Sequence, residues 1–154
     1  MIRRYRPSDL KKAAEVFRAA FAAEPWNEDW TLELAETRIN ELMSAPQSIG
    51  YVSENNGAVQ AILCGRKLTY LHGAEYVIDE FCVSPDIQRS GIGSAVLDHV
   101  RKELTGEGAA AMVLLTTRGY PSERFYIKNG FTASDTMIFM YRPIKNKECS
   151  NDKT

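Results

Sequence analysis

Two short stretches of this chain combine residue types that could do chemistry. The first, SPDIQRSGIGSAVLDHV at residues 84–100, sets Gln88, Arg89, Ser90, Gly91, Ile92 and Gly93 at the seam between a turn and a helix. Apolar residues at Ile92, Ala95, Val96 and Val100 mark that helix. A helix start leaves backbone N–H groups without intrahelical partners, and the positive end of the helix dipole adds to their pull on an anion. Ser, Asp or Asn would cap such a helix well enough. A glycine-rich start instead lets the amides of Arg89 to Ser94 approach a phosphate or pyrophosphate, because glycine carries no Cβ. Two familiar phosphate loops do not fit. Val96 stands where the dinucleotide fingerprint needs a third glycine, and Ser94-Ala95 follows Gly93 where the triphosphate loop needs Lys-Ser/Thr. The plainer alternative is that Gly91 and Gly93 serve only a tight turn.

The second stretch, EYVIDEFCV, reads as a strand that is apolar on both faces apart from Asp79 and Glu80. Adjacent carboxylates are costly to bury without a partner or a task. Neighbouring strand residues point to opposite faces, so one direct view into a cleft is the most the pair should offer. Either acid could accept a proton, and either could instead cap a backbone group or pair with Arg66 or Lys67. A third stretch, AAEPWNEDWTLE, interleaves Trp26 and Trp30 with Glu28, Asp29 and other acids, which suits a cationic amine through ring faces and ion pairing. Its alternative is one tryptophan anchoring a loop while the acids cap the next helix.

The elements that must position these residues follow from periodicity. MIRRYR reads as a strand ended by Pro7, with Ser8 or Asp9 capping a helix striped by Leu10, Ala13, Ala14, Phe17 and Phe21. Thr31 caps a second helix, carrying Leu34, Ala35, Ile39 and Leu42. Asn55-Asn56-Gly57 joins two β-like runs as a hairpin, and a turn at His72-Gly73 leads into the acidic-pair strand. After the glycine turn and its helix come a buried strand, AAMVLLTT, a short helix, PSERFYIKNG, and two final strands, FTASD and TMIFMYRP. The order β-α-α-β-β-β-α-β-α-β-β gives an α/β (α+β) architecture: a mixed, mostly antiparallel central sheet of about seven strands with helices on both faces.

The 154 residues leave room for one domain, read as residues 1–144, with the polar tail KNKECSNDKT at 145–154. A net charge of −1 argues against a general nucleic-acid binder. No apolar run is long enough to span a membrane, and MIRRYRPSDL has no signal-peptide core. Cys64, Cys82, Cys149, His72 and His99 show no metal-ligand spacing and no disulfide framework. Together these point to a cytoplasmic protein with reduced thiols and no metal.

VIDEFCVSPDIQRSGIG, with Gln88, Gly91 and Gly93 at the motif positions, resembles the signature of the GCN5-related N-acetyltransferases (GNAT). PSERFYIKNGF, through Ser122, Phe125, Tyr126, Lys128, Gly130 and Phe131, is similar to the same family's second signature. The resemblance implies a sheet splayed between strands 4 and 5, with acetyl-CoA in the opening. Pantetheine would pair with the backbone of Phe81, Cys82 and Val83, and pyrophosphate would sit on the amides from Arg89 through Ser90, Gly91, Ile92 and Gly93 to Ser94. Gln88, Ser122, Phe125 and Lys128 would complete the coenzyme site. It further implies that Tyr126 lies near the coenzyme sulfur as a general acid, with Asp79 or Glu80 as base. The N–H of Cys82 or Val83 would polarise the thioester carbonyl. The family often has asparagine where this chain has Gly119, so the stretch TTRGYPSE must hold the coenzyme differently. The expected activity is acetyl transfer by direct attack of a primary amine in a ternary complex, the acceptor a small cationic amine such as a polyamine or aminoglycoside. A protein or peptide acceptor, or a coenzyme-binding sensor without turnover, are the alternatives. The apolar TMIFMYRP is suited to join a shared sheet edge in a homodimer.

Overall fold

Tight hairpins start the sheet in the computed structural model, which describes residues 1–144. Asn56 and Gly57 take φ of 48° and 78°, the left-handed pair that a two-residue hairpin between Ser48–Asn55 (β2) and Ala58–Tyr70 (β3) requires. The chain turns again at Leu71-His72 into Gly73–Val83 (β4). Ile2–Arg4 (β1) lies antiparallel to β2, and Ala109–Leu114 (β5) lies parallel to β4 after a helical crossover. The sheet order is β1-β2-β3-β4-β5.

Each face of the sheet buries its own apolar set. Leu10–Ala22 (α1) and Leu32–Met43 (α2) cover one face, with Ala13, Phe17, Ala35 and Ile39 packed on Val52, Ile62, Cys64 and Cys82. Ile92–Gly106 (α3) covers the other through Val96, Leu97, Val100 and Leu104 on Tyr51, Leu63, Tyr76 and Ile78. Pro121–Lys128 (α4) adds Phe125 and Tyr126 to that second core. Thr31 caps α2 as expected, its hydroxyl accepting from the Leu34 amide at 3.1 Å. The first helix differs. Pro7–Asp9 forms a 3-10 turn, and the Asp9 carboxylate accepts from the Arg6 amide at 2.8 Å and from both terminal nitrogens of Arg3.

The described sheet has five strands where about seven were expected. FTASD and TMIFMYRP form none: residues 132–144 are exposed throughout. An apolar run becomes a strand only where an edge hydrogen-bonds to it, and no edge of this chain meets that segment. The tail at 145–154 lies outside the described residues. Among the described residues no helix is long and apolar enough to cross a membrane.

Candidate active site

The site begins where two parallel strands part. Pairing between β4 and β5 runs from Ala74 opposite Ala109 to Ile78 opposite Leu114 and stops there, while β4 stays paired with β3 as far as Val83. From Asp79 to Val83, β4 therefore has one edge with no strand on it among the described residues. The Ser84 amide donates to Gln60 O at 2.8 Å, so strand alternation turns the main-chain groups of Cys82 toward β3 as well. Those of Phe81 and Val83 face the open edge. This corrects the expectation for Cys82: its backbone serves the β3 ladder, its side chain is core, and burial pushes its thiol well up.

At the end of β4 the chain makes a 3-10 turn, Pro85–Ile87, and then the glycine loop. Arg89 and Gly91 adopt φ of 64° and 89°, and Gly91 is the N-cap of α3 with no side-chain cap. Among the described residues none of the amides from Arg89 to Ser94 donates to a protein acceptor. Ala95 is the first whose amide is satisfied, by Gly91 O at 3.0 Å. This set of free donors at a helix N-terminus fits an anionic group. The two glycines have different reasons. A Cβ on Gly91 would touch nothing, so its positive φ is what demands glycine, whereas a Cβ on Gly93 would meet the Phe125 ring at 3.1 Å. Gly93 thus serves close packing of α3 on α4. Gln88 Nε2 donates to Val83 O at 3.1 Å and ties the loop back to β4. Arg89 is exposed and forms no ion pair among the described residues.

The acidic pair occupies an irregularity that alternation did not anticipate. Cys64 is opposite Glu80 and Gly65 opposite Ile78, which leaves Asp79 as an extra, unpaired residue. This bulge switches the faces. Tyr76 and Ile78 before it, and Phe81 and Val83 after it, belong to the α3 core, while Cys82 belongs to the α1/α2 core. Both carboxylates consequently line the same cleft, together with Trp26, Thr116, Ser122 and Tyr126. Each has a guanidinium partner, but the grips differ. Arg66 Nε and Nη2 hold both oxygens of Asp79 at 2.7 Å. Arg38 Nε and Nη2 hold only Oε1 of Glu80, at 3.1 and 3.0 Å, which leaves Oε2 without a protein donor among the described residues. Burial pushes the Glu80 carboxyl up, with Glu28 and Asp79 adding to it and Arg38 opposing.

Tyr126 faces the cleft from α4, its ring set edge-on between Phe125 and Phe131 at 5.3 and 5.4 Å. Its hydroxyl makes no hydrogen bond among the described residues. Burial, with Cys82 and Glu80 adding to it, drives its pKa upward, so the phenol stays protonated across the physiological range. Ser122 Oγ accepts from Thr116 Oγ1 at 2.9 Å at the cleft wall.

The tryptophans divide the two roles weighed for them. Trp26 lines the cleft and stacks at 5.1 Å on Tyr120. Trp30 is the anchor, edge-on to Phe17 at 5.0 Å with its Nε1 donating to Glu28 Oε2 at 2.5 Å. Glu28 and Asp29 are exposed and outside the cleft lining, as is Lys128 at the end of α4. Arg38 and Tyr120 were missed from sequence. Neither lies in a motif, and only the packing of α2 and of the β5–α4 connection brings them to the cleft.

The model of the acetyltransferase (GNAT) family matches residues 11–131. Among solved structures, a possible acetyltransferase from Clostridium difficile 630 is similar at a TM-score of 0.79 and 17% identity, covering 94% of this chain and 98% of that one. An aminoglycoside antibiotic 6'-N-acetyltransferase from Acinetobacter haemolyticus gives a TM-score of 0.72 and 12% identity, with coverages of 94% and 99%. The enzyme AAC(6')-Iy, solved with the bisubstrate analogue CoA-S-monomethyl-acetylneamine, gives 0.70 and 15%, with coverages of 93% and 97%. No curated protein matches the chain significantly.

Proposed function

The chain belongs to the acetyltransferase (GNAT) family, and from that premise we propose that it transfers the acetyl group of acetyl-CoA to a small cationic amine. One observation carries the reading. A strand edge left free over Asp79–Val83 runs straight into six amides with no protein acceptor, beside a cleft that holds a protonated phenol and two carboxylates. The aminoglycoside acetyltransferases among the structural neighbours add support for a small amine acceptor.

Acetyl-CoA, when bound, supplies an activated acetyl thioester. The amides of Arg89, Ser90, Gly91, Ile92, Gly93 and Ser94 would hold its diphosphate, with the Arg89 guanidinium adding charge. The outward main-chain groups of Phe81 and Val83 would pair with the pantetheine arm. Ser122 and Phe125 flank that path, Phe125 by fixing α4 against Gly93. Glu80 is the better base of the pair. Its Oε2 is unengaged and its burial raises its proton affinity, whereas Arg66 occupies both oxygens of Asp79. Glu80 Oε2 takes a proton from the acceptor amine, directly or through water, so that a neutral amine attacks. Tyr126 Oη gives its proton to the departing thiolate. Asp79, and Glu28 near the mouth, supply negative charge that draws an amine cation, and the Trp26 face offers it a cation–π surface.

Residues 1–144 act in this reading as one catalytic domain. The reduced Cys64 and Cys82 are in keeping with the cytoplasm. A thiol-release assay with acetyl-CoA across polyamines, aminoglycosides and N-terminal peptides tests the proposal. Turnover confined to the small cationic amines is expected. Turnover confined to peptides, or coenzyme binding without turnover on any amine, would overturn it.

A further inference from the structure

We propose that residues 132–144 complete the sheet of a second copy of this chain, each copy laying its segment along the free edge of the other's β5. β5 is paired on one side only, with β4. On its other side Ala110 and Ala111 are exposed, and a groove there is lined by Leu104, Ala109, Met112 and Phe131. The same chain presents Met137, Ile138, Phe139, Met140 and Tyr141 with 74 to 81% of their surface in water. Single exposed apolar residues are ordinary, but five in succession are not. Apolar side chains at consecutive positions are what a strand covered on both faces requires.

The unmet strand and the unmet edge occur in one molecule, and this selects the occupant. An unrelated partner would have to bring both an edge for 132–144 and a strand for β5, whereas a second copy brings both by identity. A reciprocal exchange closes as a two-fold dimer with no edge left over. The size is also right. Large apolar side chains of this kind bury roughly 150 Å² each, so five from each of two copies approach the ~1,600 Å² of a standard stable interface before the surfaces they cover are counted. The segment leaves its own sheet at a fixed point. The Phe131 amide donates to Tyr126 O at 3.1 Å, and the amides of Thr136 and Met137 donate to Ser134 Oγ at 3.3 and 3.0 Å. The edge to be filled ends at Leu114, next to Leu115 and Thr116 of the catalytic cleft, so the partner's segment borders that cleft.

The test uses the full-length chain with Cys149→Ser, leaving the buried Cys64 and Cys82. A tagged Ala110→Cys chain and an untagged Phe139→Cys chain are co-expressed and treated with a short bismaleimide. The expected product is a covalent dimer containing both chains. Native protein should have twice the mass of one chain by sedimentation equilibrium, and Ile138→Glu with Met140→Glu should halve that mass while circular dichroism stays unchanged. Three outcomes overturn the proposal. One is a cross-link that forms only within a doubly substituted single chain, meaning the segment folds back on its own β5. Another is a monomer without cross-link, meaning the edge stays open or takes a different molecule. The third is a dimer whose mass survives the glutamates, meaning the copies meet through another surface.

Discussion

Glu80 and Asp79 are neighbours in sequence, yet their counter-ions give them different chemistry. Arg66 closes on both oxygens of Asp79, while Arg38 leaves Glu80 Oε2 open in a buried position. With Glu80 as base, the acidic limb of kcat/KM should lie above the usual carboxylate range. Glu80→Gln should remove that limb and lower kcat by about 100-fold, in line with the general-base contribution. Arg38 opposes the upward shift of Glu80, so Arg38→Ala should move the limb to higher pH. Tyr126→Phe, which deletes only the hydroxyl, should lower kcat by about 100-fold with little change in KM for acetyl-CoA. Stopped-time thiol release from pH 5 to 9 measures all three. At this scale the sequence announced the types of residue but not their partners. Trp26 and Trp30 looked equivalent, and only the contacts with Tyr120 and Phe17 tell cleft wall from anchor.

The bulge at Asp79 is the element on which the cleft depends. A regular strand would have sent one carboxylate to each face, as alternation predicts, and the extra residue brings both to one cleft. A trace was present in the sequence. Tyr76, Ile78, Phe81 and Val83, which share one core, are spaced by two, three and two, and the break falls at the acids. It was hidden because the strand is apolar on both faces. Gly65 is the bulge's partner on β3, and a Cβ there would meet the Tyr76 ring at 2.5 Å and Val77 O at 2.6 Å. Gly65→Ala should therefore destabilise the protein by about 1–3 kcal/mol. Because it displaces the acids, it should also reduce kcat. Denaturant melts with parallel assays would register both. The glycine loop, by contrast, was fully legible, since a positive-φ cap at a helix start has few sequence solutions.

Across the whole molecule, the N-terminal strand is locked to the first helix and the β2 end by Arg3, which holds Asp9 and Glu54 at 2.8 and 2.6 Å. The Arg3 guanidinium, with the Arg6 amide, keeps the nearly buried Asp9 carboxyl below its ordinary range. The folded value is the lower one, so the stabilisation is complete above the unfolded aspartate range and is lost as pH falls through the folded value. Asp9→Asn should cost about 3 kcal/mol at pH 7, as expected when a buried ion pair loses one partner. That cost should shrink in acid, read as the midpoint of urea unfolding at several pH values. The helix layers and the first five strands follow from local periodicity. The last two expected strands do not appear because strand formation needs a paired edge, which lies beyond any local pattern. The central claim is that free main-chain nitrogens at the start of α3 hold the coenzyme by its diphosphate. Calorimetric titration of the full chain with coenzyme A and with pantetheine, which lacks the diphosphate, tests it most directly. Coenzyme A should bind at least about 100-fold more tightly, a difference of about 2.7 kcal/mol. Equal affinity for the two, or no uptake of coenzyme A, would contradict it.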